Sequence, residues 1–113
     1  MARVSTYLNC PRATEEAFLF YKSVFRGEFT TPIRRFRDIP DHPPLQKADL
    51  DLVMHVELPI LGGHVLMGTD APQSMGFTVV PGNNIYINLE PDTRTETNRL
   101  LTALSEGAKW RCP

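Results

Sequence analysis

The sequence predicts an α+β protein built from two related βαβββ modules, of which the second is cut short. The first 70 residues read in order as strand, helix and three strands. After a stretch rich in proline and glycine, at 71–83, the opening of that pattern recurs. We therefore expect a first module at 1–70, a linker at 71–83 and an incomplete β-α-β start at 84–113.

The first module opens with a short β-prone segment at 4–9 and continues with a helix. The helix is predicted by one apolar stripe at helical spacing, formed by Ala17, Phe18, Tyr21, Val24 and Phe25. Thr14 is placed to cap its start and Gly27 to end it.

Three strands complete the predicted first module. Residues 28–36 form the first, and a proline-rich loop at 38–49 follows. Residues 50–58 alternate strictly, with a core face of Leu, Met and Val on one side. Gly62 and Gly63 then form a hairpin turn before the returning strand at 64–69.

The second module is predicted from a strand at 85–89 and a helix after it. Thr93 and Glu96 form a capping box, and the helical stripe that follows ends at Gly107. The opening triplets of the two modules match, Tyr-Leu-Asn at 7–9 and Tyr-Ile-Asn at 86–88.

Composition and charge exclude several classes of function. The chain has 113 residues, with 12 Lys+Arg against 13 Asp+Glu and a formal net charge of -1. The four arginines within 26–37 are interleaved with or followed by acidic residues, so we expect no nucleic-acid surface. No apolar run approaches the roughly 18 residues of a membrane span, and the first residues do not open a signal peptide. We expect a cytoplasmic protein.

Four segments carry a resemblance to a known family. They are residues 6–9, 14–25, 54–58 and 66–70. Together they resemble the PhnB-like branch of the vicinal oxygen chelate superfamily, whose members are called glyoxalase/bleomycin-resistance-like or 3-demethylubiquinone 3-methyltransferase-like. The resemblance implies paired βαβββ modules of the glyoxalase/bleomycin-resistance type, with curved sheets that form a cup, usually in a homodimer.

The resemblance also implies further strands after Lys109. We interpret residues 110–113 as out of frame; the alternative is a naturally short or deliberately trimmed protein. A sheet that lacks the last strands of the second module would have an unpaired edge strand and an uncovered apolar face. We therefore expect a homodimer, with or without exchange of strands between the two chains.

Members of the superfamily that are enzymes hold a divalent metal through the first and last strands of each module. The corresponding positions here are Thr6 (or Ser5 or Tyr7), Met67 and Asn84, and none is a strong metal ligand. We expect the usual metal site to be absent and predict no cofactor, although full-length relatives can use a divalent metal.

His55 and Glu57 are the candidate catalytic residues. They lie two residues apart on one predicted strand, so both point away from the core face and could act as a general acid/base pair. The alternative is that they lie on a solvated or dimer-facing side of the sheet.

The candidate ligand-binding residues come mainly from matching places in the two modules. A cup lined by tyrosine and asparagine would suit a neutral, polar small molecule; the alternative is that these residues simply end edge strands. The set is Tyr7, Asn9, Met67, Asn84, Tyr86 and Asn88.

The function that these observations favour is binding of a small molecule without the usual metal site. Two alternatives stay open, a metal-dependent enzyme of the lyase, isomerase or dioxygenase kind and an inactive fragment. Whether the chain is an enzyme is left undecided. Methyltransferase activity is not expected, because no glycine-rich loop for a sulfonium cofactor occurs.

Overall fold

The computed structural model describes residues 2–40, 47–72, 76, 78–80, 82 and 84–106. Its regular elements are β1 Thr6–Asn9, α1 Thr14–Phe25, β2 Arg34–Arg35, β3 Val53–Pro59, β4 Val65–Thr69 and α2 Arg94–Glu106. The four strands form one sheet in the order β1-β4-β3-β2. β1 runs parallel to β4, and the other two pairs are antiparallel. The predicted α+β class and the order β-α-β-β-β are confirmed.

The start of α1 is fixed by a buried carboxylate from the end of β4. The backbone N–H of Thr14 donates to Asp70 Oδ1 at 3.0 Å, and the N–H of Val53 donates to Asp70 Oδ2 at 2.7 Å. Thr14 is itself the first helical residue, after Ala13, and its hydroxyl donates to the Cys10 carbonyl. The prediction that Thr14 caps the helix is therefore wrong, because Thr14 lies within the first turn and its hydroxyl donates to Cys10 instead of accepting a helical N–H.

The end of α1 also differs from the prediction. Arg26, and not Gly27, adopts the left-handed conformation, at φ 57° and ψ 35°. The Arg26 N–H donates to the Lys22 carbonyl at 2.9 Å, so the last turn closes without a glycine at that point.

The hydrophobic core lies between α1 and one face of the sheet. Its buried members are Ala17, Phe18, Val53, Val56, Leu58 and Leu66. Gly68 of β4 lies directly beneath Phe18, and a Cβ there would sit 2.6 Å from Phe18 Cε1. The missing side chain at Gly68 lets the helix approach the sheet this closely.

β3 does not keep the strict alternation predicted for 50–58. The strand begins at Val53, which is only 1% exposed and belongs to the core. Leu50, Leu52 and Met54, which were expected on the core face, are only half-buried.

A bulge in β3 explains this departure. Arg34 pairs with His55 and the next residue, Arg35, pairs with Val53, so two steps along β3 face one step along β2. The extra residue is Met54. It turns Val53 toward the core while His55 keeps the opposite face.

β2 is much shorter than the predicted strand at 28–36. Only Arg34–Arg35 pairs regularly, although the Thr30 N–H also donates to the Glu57 carbonyl at 3.1 Å. Pro32 has no N–H to donate and lies within the predicted strand, which shortens the regular pairing.

The turn before β4 is confirmed. Leu61–Gly63 forms a single tight turn in which Gly62 and Gly63 have φ values of 63° and 78°. These positive values favour glycine at both positions.

The helix predicted for the second module is present as α2. The Glu96 N–H donates to Thr93 Oγ1 at 3.1 Å, as the capping box predicts, and Leu100 is buried. Arg99 Nη1 donates to the Val24 carbonyl at 2.8 Å, which ties α2 to the end of α1. Gly107 and residues 110–113 lie outside the described residues.

The strand predicted at 85–89 is not formed. This segment has no regular secondary structure, and Ile85 and Tyr86 are 83% and 86% exposed. A strand needs a neighbour for its backbone groups, and no described strand pairs with this segment.

No helix among the described residues is long and apolar enough to cross a membrane.

Candidate functional site

The candidate site lies on the open face of the sheet, opposite the face that α1 covers. Strand register places Tyr7, Met67 and Glu57 in one row, because both Tyr7 and Glu57 pair with Met67. His55 lies two residues before Glu57 on the same strand and therefore shares this face. We refer to Tyr7, His55, Glu57 and Met67 as the open-face site.

His55 uses both of its ring nitrogens within this site. Nδ1 lies 3.0 Å from the Tyr7 hydroxyl, and Nε2 lies 2.9 Å from Glu57 Oε1. The Tyr7 and His55 rings are tilted against each other with centroids 5.6 Å apart. Tyr7 thus reaches across β4 to join β1 with β3.

One arrangement of protons satisfies both contacts when His55 is neutral. The Tyr7 hydroxyl donates to Nδ1, and the Nε2–H group donates to the Glu57 carboxylate. Glu57 thereby holds the imidazole in the tautomer that leaves Nδ1 as an acceptor.

The electrostatics of the site keep Tyr7 protonated. Burial raises the pKa of Tyr7 above its ordinary value, and the negative charge of nearby Glu57 raises it further. The side chains of His55 and Glu57 are only 24% and 17% exposed. Tyr7 is the most exposed of these three residues, at 50%.

Two solved structures resemble this chain closely enough to define its fold. The crystal structure of protein PA1353 from Pseudomonas aeruginosa is 25% identical, with a TM-score of 0.76, over 95% of this chain and 74% of that one. A putative 3-demethylubiquinone-9 3-methyltransferase, PhnB protein, from Bacillus cereus is 20% identical, with a TM-score of 0.57, over 94% and 75%.

The chain has a PhnB-like fold. No protein-family model matches it, and no curated protein is similar enough in sequence to count as a relative. The likeness is therefore one of structure, and it supports the fold that the four resembling segments imply.

The register shows which of the three first-strand residues considered in the sequence lies opposite Met67. Among Ser5, Thr6 and Tyr7, it is Tyr7 that pairs with Met67 of the last strand. A protonated phenol and a thioether are poor ligands for Mg²⁺, Mn²⁺ or Zn²⁺. The described part of the chain holds no group of three His, Cys, Asp or Glu side chains placed to bind a metal ion.

The other residues predicted to bind a ligand lie elsewhere. Tyr86 and Asn88 line an open cleft of about 810 Å³ beside the Leu61–Gly63 turn, together with Thr6 and His64. Thr6 pairs with Leu66 of the core, so this cleft is on the α1 side of the sheet edge.

The matching triplets of the two modules therefore do not share one site. Asn9 lies two residues beyond Tyr7 on the open face, whereas Asn88 Nδ2 donates to Glu90 Oε2 at 3.0 Å in the cleft. Asn84 is exposed and lies outside both groups. His42 lies outside the described residues.

Tyr7 and His55 belong to separate candidate sets in the sequence, and no sequence pattern indicates the contact between them. Their separation of 48 residues hides it, because the contact depends on β1 pairing parallel to β4. Arg34 stands out in the sequence only as part of a mixed charge run, although it pairs directly with His55.

Proposed function

We propose that this protein binds a small polar molecule on the open-face site, without a metal ion. The observation that carries the proposal is the chain of hydrogen bonds from Glu57 through both nitrogens of His55 to Tyr7. It supplies oriented polar groups on a face of the sheet that α1 leaves open. The PhnB-like fold supports a small-molecule-binding role in general.

The polar groups of the site favour a ligand that donates hydrogen bonds. The Tyr7 oxygen and the second oxygen of Glu57 can accept from a ligand, while His55 fixes the direction of each. Met67 lies between Tyr7 and Glu57 and offers an adaptable apolar floor. The donor set at the metal positions, Tyr7 and Met67, supports binding without a divalent ion.

The same hydrogen-bond chain favours one second candidate, an enzyme that uses acid–base chemistry. A proton leaving a bound substrate would pass to the Tyr7 oxygen as the Tyr7 proton moves to His55 Nδ1. Glu57 would stabilise the resulting imidazolium, so charge is balanced within the site. Turnover of a bound ligand would establish this candidate, and binding without turnover would favour the first.

The proposal is tested by screening polar fragments by NMR against the wild-type protein and two matched variants. We expect the fragments that bind to shift signals of Tyr7 and Met67. Tyr7→Phe keeps the ring but removes the hydroxyl and should weaken binding by about tenfold. Tyr86→Phe removes the hydroxyl in the cleft and should leave affinity unchanged. Fragments that bind around Tyr86, or that bind Tyr7→Phe as well as wild type, would contradict the proposal.

A further inference from the structure

Three arginines in and after β2 have different surroundings. Arg35 forms a two-pronged ion pair with Glu15 of α1, at 3.0 and 2.8 Å, and Arg37 Nε lies 2.6 Å from Asp51 Oδ1. Arg34 forms no ion pair with any carboxylate of the residues that the structure describes. Arg34 is therefore the member of this run whose charge stays available to a ligand.

The strand pairing places Arg34 on the same face as the open-face site. Residues directly opposite each other in an antiparallel pair project to the same face, and Arg34 is opposite His55. Arg35 is opposite Val53 of the core and bonds to α1, which confirms that the neighbouring arginine points the other way.

We propose that the ligand of the open-face site carries a carboxylate and that Arg34 is the residue that selects it. This inference rests on the proposed function and adds the chemical class of the ligand. A guanidinium binds a carboxylate through two parallel N–H donors, a geometry that a neutral amide cannot match. One guanidinium beside the charge of Glu57 suits a singly charged carboxylate better than a doubly charged anion.

The geometry assigns the two ends of such a ligand. Its carboxylate lies at the β2 edge, where Arg34 stands beside His55, and its uncharged end extends over Met67 toward Tyr7. This orientation keeps the carboxylate away from Glu57, which is already bonded to His55. The proposal thus differs from the neutral ligand expected from tyrosine and asparagine in the sequence, and the titration below distinguishes the two.

The competing explanation is that Arg34 only protects an exposed edge strand from pairing with other chains. The two roles differ in what they predict for binding, since edge protection requires a charge but no selectivity among ligands. Benzoate and benzamide are suitable probes, because they have nearly the same shape and differ in charge.

The experiment is an NMR titration of the full chain with benzoate and with benzamide, following Tyr7 and Met67 signals. We expect benzoate to bind at least about tenfold more tightly than benzamide. Arg34→Gln should remove this preference. Arg34→Lys keeps the charge but lacks the two parallel N–H donors of the guanidinium, so it should retain only part of the preference. Arg37→Gln is the matched control and should bind benzoate as wild type does.

Three results would overturn the inference. Equal binding of the two probes would show a site that does not select a carboxylate. An unchanged benzoate preference in Arg34→Gln would show that a residue other than Arg34 selects it. Both results leave the proposed function standing. Binding of neither probe would count against a carboxylate ligand, while the fragment screen would still decide whether the site binds polar molecules at all. Because Arg34 is exposed, its variants are expected to fold, and the amide spectrum checks this directly.

Discussion

Tyr7 carries the clearest electrostatic signature of the open-face site. Burial and the charge of Glu57 both raise its pKa, so its neutral form is favoured in the folded protein. A raised pKa on an acid means that the folded state holds its proton more firmly than the unfolded state does. The stability that Tyr7 contributes is thus fully present below the unfolded pKa and is lost as pH rises through the folded pKa.

We predict that Tyr7 ionises above pH 10.0, the ordinary value for a tyrosine side chain. Subtracting the phenolate absorbance titration of Tyr7→Phe from that of wild type isolates this residue. Glu57→Gln should lower the Tyr7 midpoint only part of the way toward 10.0, because burial is the larger cause of the raised pKa and remains in this variant. A Tyr7 midpoint at or below 10.0 would show that the phenol is neither buried nor near a negative charge.

At the level of elements, the packing of α1 on β4 depends on the absence of a side chain at Gly68. An added Cβ would lie 2.6 Å and 2.9 Å from two atoms of the Phe18 ring and 3.1 Å from Thr14 Cγ2. Phe18 and Thr14 are both fully buried, so neither can move aside without disturbing the start and middle of the helix.

We predict that Gly68→Ala lowers the free energy of unfolding by about 1–3 kcal/mol, the usual cost of overpacking a core. Urea denaturation at neutral pH measures this change. Combining it with Phe18→Leu, which removes the clashing ring atoms, should recover part of the loss relative to the sum of the two single variants. Additive losses would mean that the contact between Gly68 and Phe18 is not the cause.

At the level of the whole molecule, several large apolar side chains of the described residues are exposed. Val4 precedes β1 and is 85% exposed, while Ile85 and Tyr86 lie in the segment before α2, which pairs with no described strand. Exposed apolar groups and unpaired backbone both favour association with another chain. The homodimer expected from the sequence stays a prediction, and these residues are where it is best tested.

We predict a dimer at micromolar concentration, measured by light scattering after size-exclusion chromatography. Ile85→Asp places a charge in the unpaired segment and should shift the population toward monomer. Thr102→Asp, at an exposed position on α2, adds the same charge elsewhere and serves as the control. A wild-type protein that is wholly monomeric at these concentrations would contradict the prediction.

Local patterns were sufficient for the parts of the fold that form from neighbouring residues. Helical periodicity located α1, the Thr93–Glu96 capping box located α2, and Gly62 with Gly63 located the turn before β4. Spacing along one strand likewise placed His55 and Glu57 on one face. Each of these features depends on contacts between residues that are a few positions apart, so it can be predicted from the sequence alone.

The remaining features depend on pairing between distant segments. Asp70, which follows β4, accepts the N–H of Thr14 and so fixes the start of α1, and a bulge in β3 moves Val53 into the core. The contact of Tyr7 with His55 forms because β4 lies between β1 and β3 in the sheet. No local sequence pattern indicates this strand order. Backbone hydrogen bonds between strands set these registers, and a shift of one residue would place Tyr7 on the opposite face.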